Sequence, residues 1–196
     1  MKEKDYAALV ELNRFVGREF LLWIWFESEL YETNLRATGK EPIAIWLETN
    51  LTLVSEAEET RIKSAMPGAT PEAKQALRQG KLPKTAKLRA VLNQNEYEWS
   101  FKADELAFSG LKVPGVLKSK EDAHEALYER MMLRAELEEQ WVALFRDFLA
   151  LRLQAAWESV VTPAMKAWSR GKAVDEALYA KTKKQLCGGP AANRTS

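Results

Sequence analysis

Between about Lys4 and Tyr31 the apolar residues Leu9, Leu12, Phe15, Val16, Phe20, Trp23, Phe26 and Leu30 recur at steps of three and four, with no proline among them. This spacing predicts one long amphipathic helix. Trp23 and Trp25 cannot share a face of it, so one meets the core and the other a second element or a partner. After Gly39-Lys40-Glu41-Pro42 the period shortens. Ile43 to Leu47 and Leu51 to Val54 read as two short strands, with Glu48-Thr49-Asn50 as a hairpin turn between them. A third strand is expected over Glu59 to Ala65, where Arg61 and Lys63 alternate with Ile62 and point away from the buried face.

Met66-Pro67-Gly68 ends that strand. Thr70 then caps a short helix that has Pro71 at its first position and Gly80 as its stop. Thr85 to Asn93 and Tyr97 to Lys102 form a second hairpin. With Gln94-Asn95 as its loop, Leu92 pairs with Tyr97, Ala90 with Trp99 and Leu88 with Phe101 on the buried side. Arg89 then faces Ser100 and Lys87 faces Lys102, so no carboxylate stands directly opposite either base. A further strand is expected over Leu106 to Lys112. From Lys118 to about Val161 the steps of four and three through Leu137, Trp141, Leu144, Phe148, Leu151 and Ala155 predict a second long helix with a heptad seam. That seam fits packing on the first helix within one chain and pairing across a dimer equally well. Thr162-Pro163 restarts a short helix, and another runs from Lys172 to Gln185.

The fold class is therefore α+β: a small antiparallel or mixed sheet of about five to six short strands packed with long N- and C-terminal helices. Residues 1–117 are expected to form an α+β region, 118–186 a helical region packing on or extending from it, and 187–196 a disordered tail. With 196 residues, 46% of them hydrophobic and 29% charged, the chain belongs with globular rather than disordered proteins. The longest apolar run, Phe20 to Phe26, falls far short of the roughly 20 residues of a spanning helix. A charged N-terminus without a signal-peptide pattern and a lone cysteine, Cys187, point to the cytoplasm.

Charge is unevenly distributed. Residues 61–92 hold eight basic side chains against one acid, Glu72, a net +7 in a chain of net +1, so the remainder carries −6. A segment depleted in acids creates a positive field, and the commonest large partner for such a field is the phosphate backbone of a nucleic acid. Lys63, Lys74, Arg78, Lys81, Lys84, Lys87 and Arg89 are the candidate phosphate contacts. Catalysis has less to stand on. The single histidine, His124, lies among acids at the start of a long helix, where solvation explains it. One Cys and one His cannot build a zinc site, and no phosphate-binding glycine loop is present. Lys102 beside Asp104-Glu105 is the nearest approach to a metal-nuclease triple, a combination that arises readily by chance in so charged a chain. The expectation is a protein that is not an enzyme and uses no cofactor and no metal.

PEAKQALRQGKLPKTAKLRAVL followed by EYEWSFKADELAFSGLKVPG resembles the C-terminal half of the recombination-associated protein RdgC family. The likeness lies in a short helix ending in Gly80-Lys81, then Lys84 and Leu88 on a strand, then Leu111-Lys112. Upstream, RFVGREFLLWIWFESE is similar to the family's tryptophan-bearing helix and IAIWLETNLTL to the hairpin after it, so the match runs from about Arg14 to Pro114. The resemblance implies a nucleoid-associated homodimer that binds double-stranded DNA with little sequence preference and modulates homologous recombination by restraining a RecA-type recombinase. Family chains carry an additional N-terminal portion, on which closure of their ring-shaped dimer partly depends, and a more basic strand before the short helix than Arg61-Ile62-Lys63-Ser64; the fewer charges predict weaker or more salt-sensitive binding here. The alternative from another class is a helix-mediated interaction or dimerisation protein that does not bind nucleic acid.

Overall fold

A computed structural model describes residues 3–31, 35–114 and 123–187, with side chains from residue 14 onward except at 123. The expected tail lies outside these residues, apart from Cys187. The chain folds as α+β, with five α-helices and a six-stranded antiparallel sheet among the described residues. Helix α1 is Glu3–Tyr31, followed by strands β1 Leu35–Arg36, β2 Pro42–Val54 and β3 Glu59–Lys63. Next come helix α2 Pro71–Arg78, strands β4 Leu82–Leu92, β5 Asn95–Lys102 and β6 Ala107–Lys112, and helices α3 Ala123–Arg152, α4 Thr162–Ser169 and α5 Glu176–Cys187. The sheet order is β1-β2-β4-β5-β6, with β3 on the same edge of β2 as β1.

Several elements follow the sequence pattern closely. Thr70 accepts from Ala73 N at 3.3 Å, Pro71 opens α2, and Gly80 leaves it with φ +84°, a conformation that glycine adopts without a Cβ penalty. On β3, Ile62 is buried while Arg61 and Lys63 are exposed. Trp23 and Trp25 are both buried on different sides of α1. Trp23 lies against Phe20 and Phe148, and Trp25 meets Trp168 of α4 edge-on.

Three expectations are corrected. Ile43–Leu47 and Leu51–Val54 are not two strands joined by a hairpin but halves of one 13-residue strand, β2, bulged at Glu48–Leu51 with Thr49 at φ 44°. Both halves pair with β4, so the turn-like residues kink the strand instead of reversing it. The β4–β5 loop is Asn93-Gln94, both at positive φ (49° and 66°), the conformation favoured in two-residue hairpins. Ala90 therefore pairs with Tyr97, Leu88 with Trp99 and Ala86 with Phe101, two residues from the expected register. Because the pleat repeats every two residues, the buried face is unchanged while every cross-strand partner differs. Finally, the second long helix ends at Arg152, and a π-helical turn, Trp157–Val161, leads into α4.

The helices cover one face of the sheet. Phe20 and Trp23 of α1, Trp99 and Phe101 of β5, and Trp141 and Phe148 of α3 belong to one hydrophobic cluster that also takes in Trp157, Met165 and Tyr179. Trp141 stands edge-on to both Trp99 and Phe101 at 5.5 and 5.0 Å between ring centres. The seam residues Leu137, Trp141, Leu144, Phe148 and Leu151 are thus consumed within the chain, and Ala155 alone is exposed. Packing on the first helix and the sheet is what this seam does.

Candidate functional site

The seven candidate phosphate contacts come from α2, β3, β4 and the loop between α2 and β4. Acids from elsewhere in the chain meet five of them. Lys74 reaches Glu29 of α1 at 2.7 Å and sits 3.5 Å from the centre of the Trp168 ring. Burial lowers its pKa, and Glu29 acts against that shift. Lys81, only 7% exposed, donates to Glu58 at 2.7 Å and to Thr60 Oγ1 at 2.9 Å. Its ammonium holds the Glu58 carboxyl below the usual carboxylate range. Lys84 stands 3.9 Å from Glu59.

On the open face of the sheet, Arg89 pairs with Glu96 at 2.8 Å and Glu48 at 3.4 Å, and Lys87 with Glu98 at 3.1 Å. Glu98 also takes Lys112 at 2.6 Å, and the two ammonium groups together lower its pKa. This follows from the observed register, which puts Glu98 directly opposite Arg89 and brings β2's Glu48 opposite Lys87. Lys63 and Arg78 make no ion pair with a described residue; Arg78 donates Nε to the Lys74 carbonyl at 3.1 Å. The strip free of opposing carboxylates, expected from residues 61–92, is therefore corrected to a mosaic of ion pairs. Acid depletion along the segment did not persist in space, because α1, β2, β5 and the 58–59 corner supply the missing carboxylates.

The nuclease-like triple stays together around one pocket, with its charges engaged in ion pairs. Arg18 grips Asp104 through two hydrogen bonds of 2.6 and 2.8 Å, and Glu105 turns to Lys102 at 3.4 Å. Among the described residues no three His, Cys, Asp or Glu side chains come together as a metal site. His124 is exposed at the start of α3. No helix among the described residues is long and apolar enough to cross a membrane.

A different surface stands out on α3. Leu127, Tyr128, Met131 and Met132 are 57, 66, 60 and 54% exposed, and Ala135 and Val142 continue the stripe in the open. At about 100° per residue, Tyr128, Met131, Met132, Ala135 and Val142 lie on the side of the helix opposite the buried seam. Arg134, paired with Glu138 of the same helix at 2.7 Å, borders one flank of this stripe, and Glu125 and Glu129 border the other. Sequence reading passed over it because the stronger seam on the same helix accounted for the heptad spacing. Tyr128, Met131 and Ala135 nevertheless stand three and four apart and were open to detection.

No protein-family model matches the chain, and no curated protein matches it.

Proposed function

We propose that the protein is an association module that pairs through the exposed face of α3 with a second copy of itself. The stripe opposite the seam carries this reading: Tyr128, Met131 and Met132, each more than half exposed, occupy two turns of the helix ahead of the packed seam that begins at Leu137. In a parallel pair related by a two-fold axis, the acidic flank formed by Glu125 and Glu129 lies toward the flank of its neighbour that bears Arg134 with its partner Glu138, and the arrangement repeats on the other side. Sedimentation is expected to show a species of twice the 22.3 kDa chain mass. Tyr128→Glu with Met131→Glu is expected to return it to the monomer with an unchanged far-UV circular dichroism spectrum and an unfolding midpoint that no longer depends on protein concentration. A native chain that stays monomeric at every concentration, or a dimer indifferent to these substitutions, removes the reading.

A second reading retains duplex DNA, and with it the nucleoid location and the restraint of a RecA-type recombinase that the RdgC resemblance implies. The observation in its favour is that Lys63 and Arg78, together with Lys166, Arg170, Lys172, Lys181 and Lys184 of the C-terminal helices and their connections, meet no carboxylate among the described residues. Phosphate contacts release counterions, so affinity falls with salt by an exponent of roughly 0.9 per contact. A mobility series on duplex at rising salt is expected to show retention at low salt that weakens in Lys63→Ala/Arg78→Ala. Absence of any shift at low salt rejects DNA binding and leaves the association reading standing.

A further inference from the structure

Where α1, α2, α4 and the π-helical turn meet, they leave a cleft of about 200 Å3. Leu22, Leu77, Trp157, Met165 and Trp168 form its apolar walls, and the exposed Gly80 and Lys166 mark its mouth. A cavity of ~150 Å3 lined by aliphatic and aromatic side chains suffices to take up benzene. The cleft therefore has room for one aromatic ring with a substituent.

The wall carrying Trp157 is made by the break after α3. Were that helix continued, about 100° per residue would set Trp157 on the side opposite Leu137 and Phe148, away from the core. The break and the π-helical turn instead bring it in, edge-on to Phe148 at 5.5 Å. Turns of this kind depart from the regular hydrogen-bond ladder and recur at functional sites.

Three charged residues line the cleft, and two of them are engaged. Glu19 accepts from Arg152 at 2.7 Å, and Lys81 is held by Glu58 and Thr60. Lys166 meets no carboxylate among the described residues. We infer that the cleft binds a small aromatic carboxylate, with its ring against Trp157 and Trp168 and its carboxylate at Lys166. This binding site is independent of the α3 surface.

Titration calorimetry of the full chain with benzoate, benzamide and benzylammonium tests it. Benzoate is expected to bind saturably and about tenfold more tightly than benzamide, with benzylammonium weakest. Lys166→Gln is expected to bring benzoate down to the level of benzamide and leave benzamide unchanged. Leu77→Trp, which fills the cleft, is expected to abolish both; where that variant does not fold, Met165→Phe takes its place. No saturable benzoate binding, equal affinity for benzoate and benzamide, preference for benzylammonium, or binding that survives a folded filling variant overturns the inference.

Discussion

Glu27 is a carboxylate with no exposure, held near the C-terminal end of α1 by groups that reach it from α5. The Tyr179 hydroxyl and the Lys183 ammonium both donate to it, and Trp23 Nε1 donates to the Tyr179 oxygen at 2.8 Å. A buried charge is tolerable only when paired and hydrogen-bonded in this way. The same enclosure acts on the phenol: burial, and then the charge of Glu27, raise the pKa of Tyr179 well above its ordinary value. Tyr97 is raised too, by burial first and then by the charge of Glu136, whose carboxylate it bonds at 3.1 Å. Above about pH 10 the unfolded chain loses these protons while the native protein keeps them. The unfolded state then binds fewer protons, so stability that is intact below that pH falls as pH rises beyond it. Denaturant midpoints taken from neutral pH to above pH 10, with tyrosinate absorbance as the monitor, are expected to fall with a rise in absorbance on unfolding. A midpoint that stays level across this range contradicts the assignment.

At the level of elements, close approach fixes how α1 lies on the sheet. A Cβ on Gly17 would fall 1.9 Å from the carbonyl oxygen of Ala103, in the short turn after β5, and Arg18 beside it clamps Asp104 of the same turn. Because the obstacle is backbone, Gly17→Ala must push the helix and the turn apart. The expected cost is about 1–3 kcal/mol, read as a lower urea midpoint with an unchanged slope; an unshifted midpoint shows the contact to be slack. The long helices α1 and α3 and the capped helix α2 were legible because their spacing and capping signals are local. The β4–β5 register was not. Gln94-Asn95 and Asn93-Gln94 both offer turn residues, and either loop buries Leu88, Ala90, Tyr97 and Trp99. The end of α3 at Arg152 was illegible for a related reason, since Leu153-Gln154-Ala155 contains neither proline nor glycine to announce it.

Across the whole molecule, charge is sorted differently from the way it is ordered along the chain. Glu48, Glu96 and Glu98 mask Lys87, Arg89 and Lys112 on the open sheet face. Replacing all three acids with glutamine raises the net charge by three and releases these cations. If the sheet face lies against DNA, duplex affinity is expected to rise and its salt dependence to steepen. An unchanged mobility series places any DNA contact on another surface, such as the α4–α5 side, where Lys166, Arg170 and Lys184 meet no carboxylate among the described residues.

Composition, periodicity and capping residues by themselves determined an α+β chain, its long helices, the buried faces of β3, β4 and β5 and a basic segment at residues 61–92, because each of these depends on residues within a few turns or one pleat. Only the tertiary structure decided which cations keep a free charge and which apolar side chains stay in the open. Glu29, Glu58 and Glu98 reach the basic segment from other elements, and the packed seam of α3 leaves Tyr128 and Met131 on its far side. Both outcomes are set by what lies opposite a residue in space, and the spacing of residues along the chain shows which ones share a face without showing what covers it.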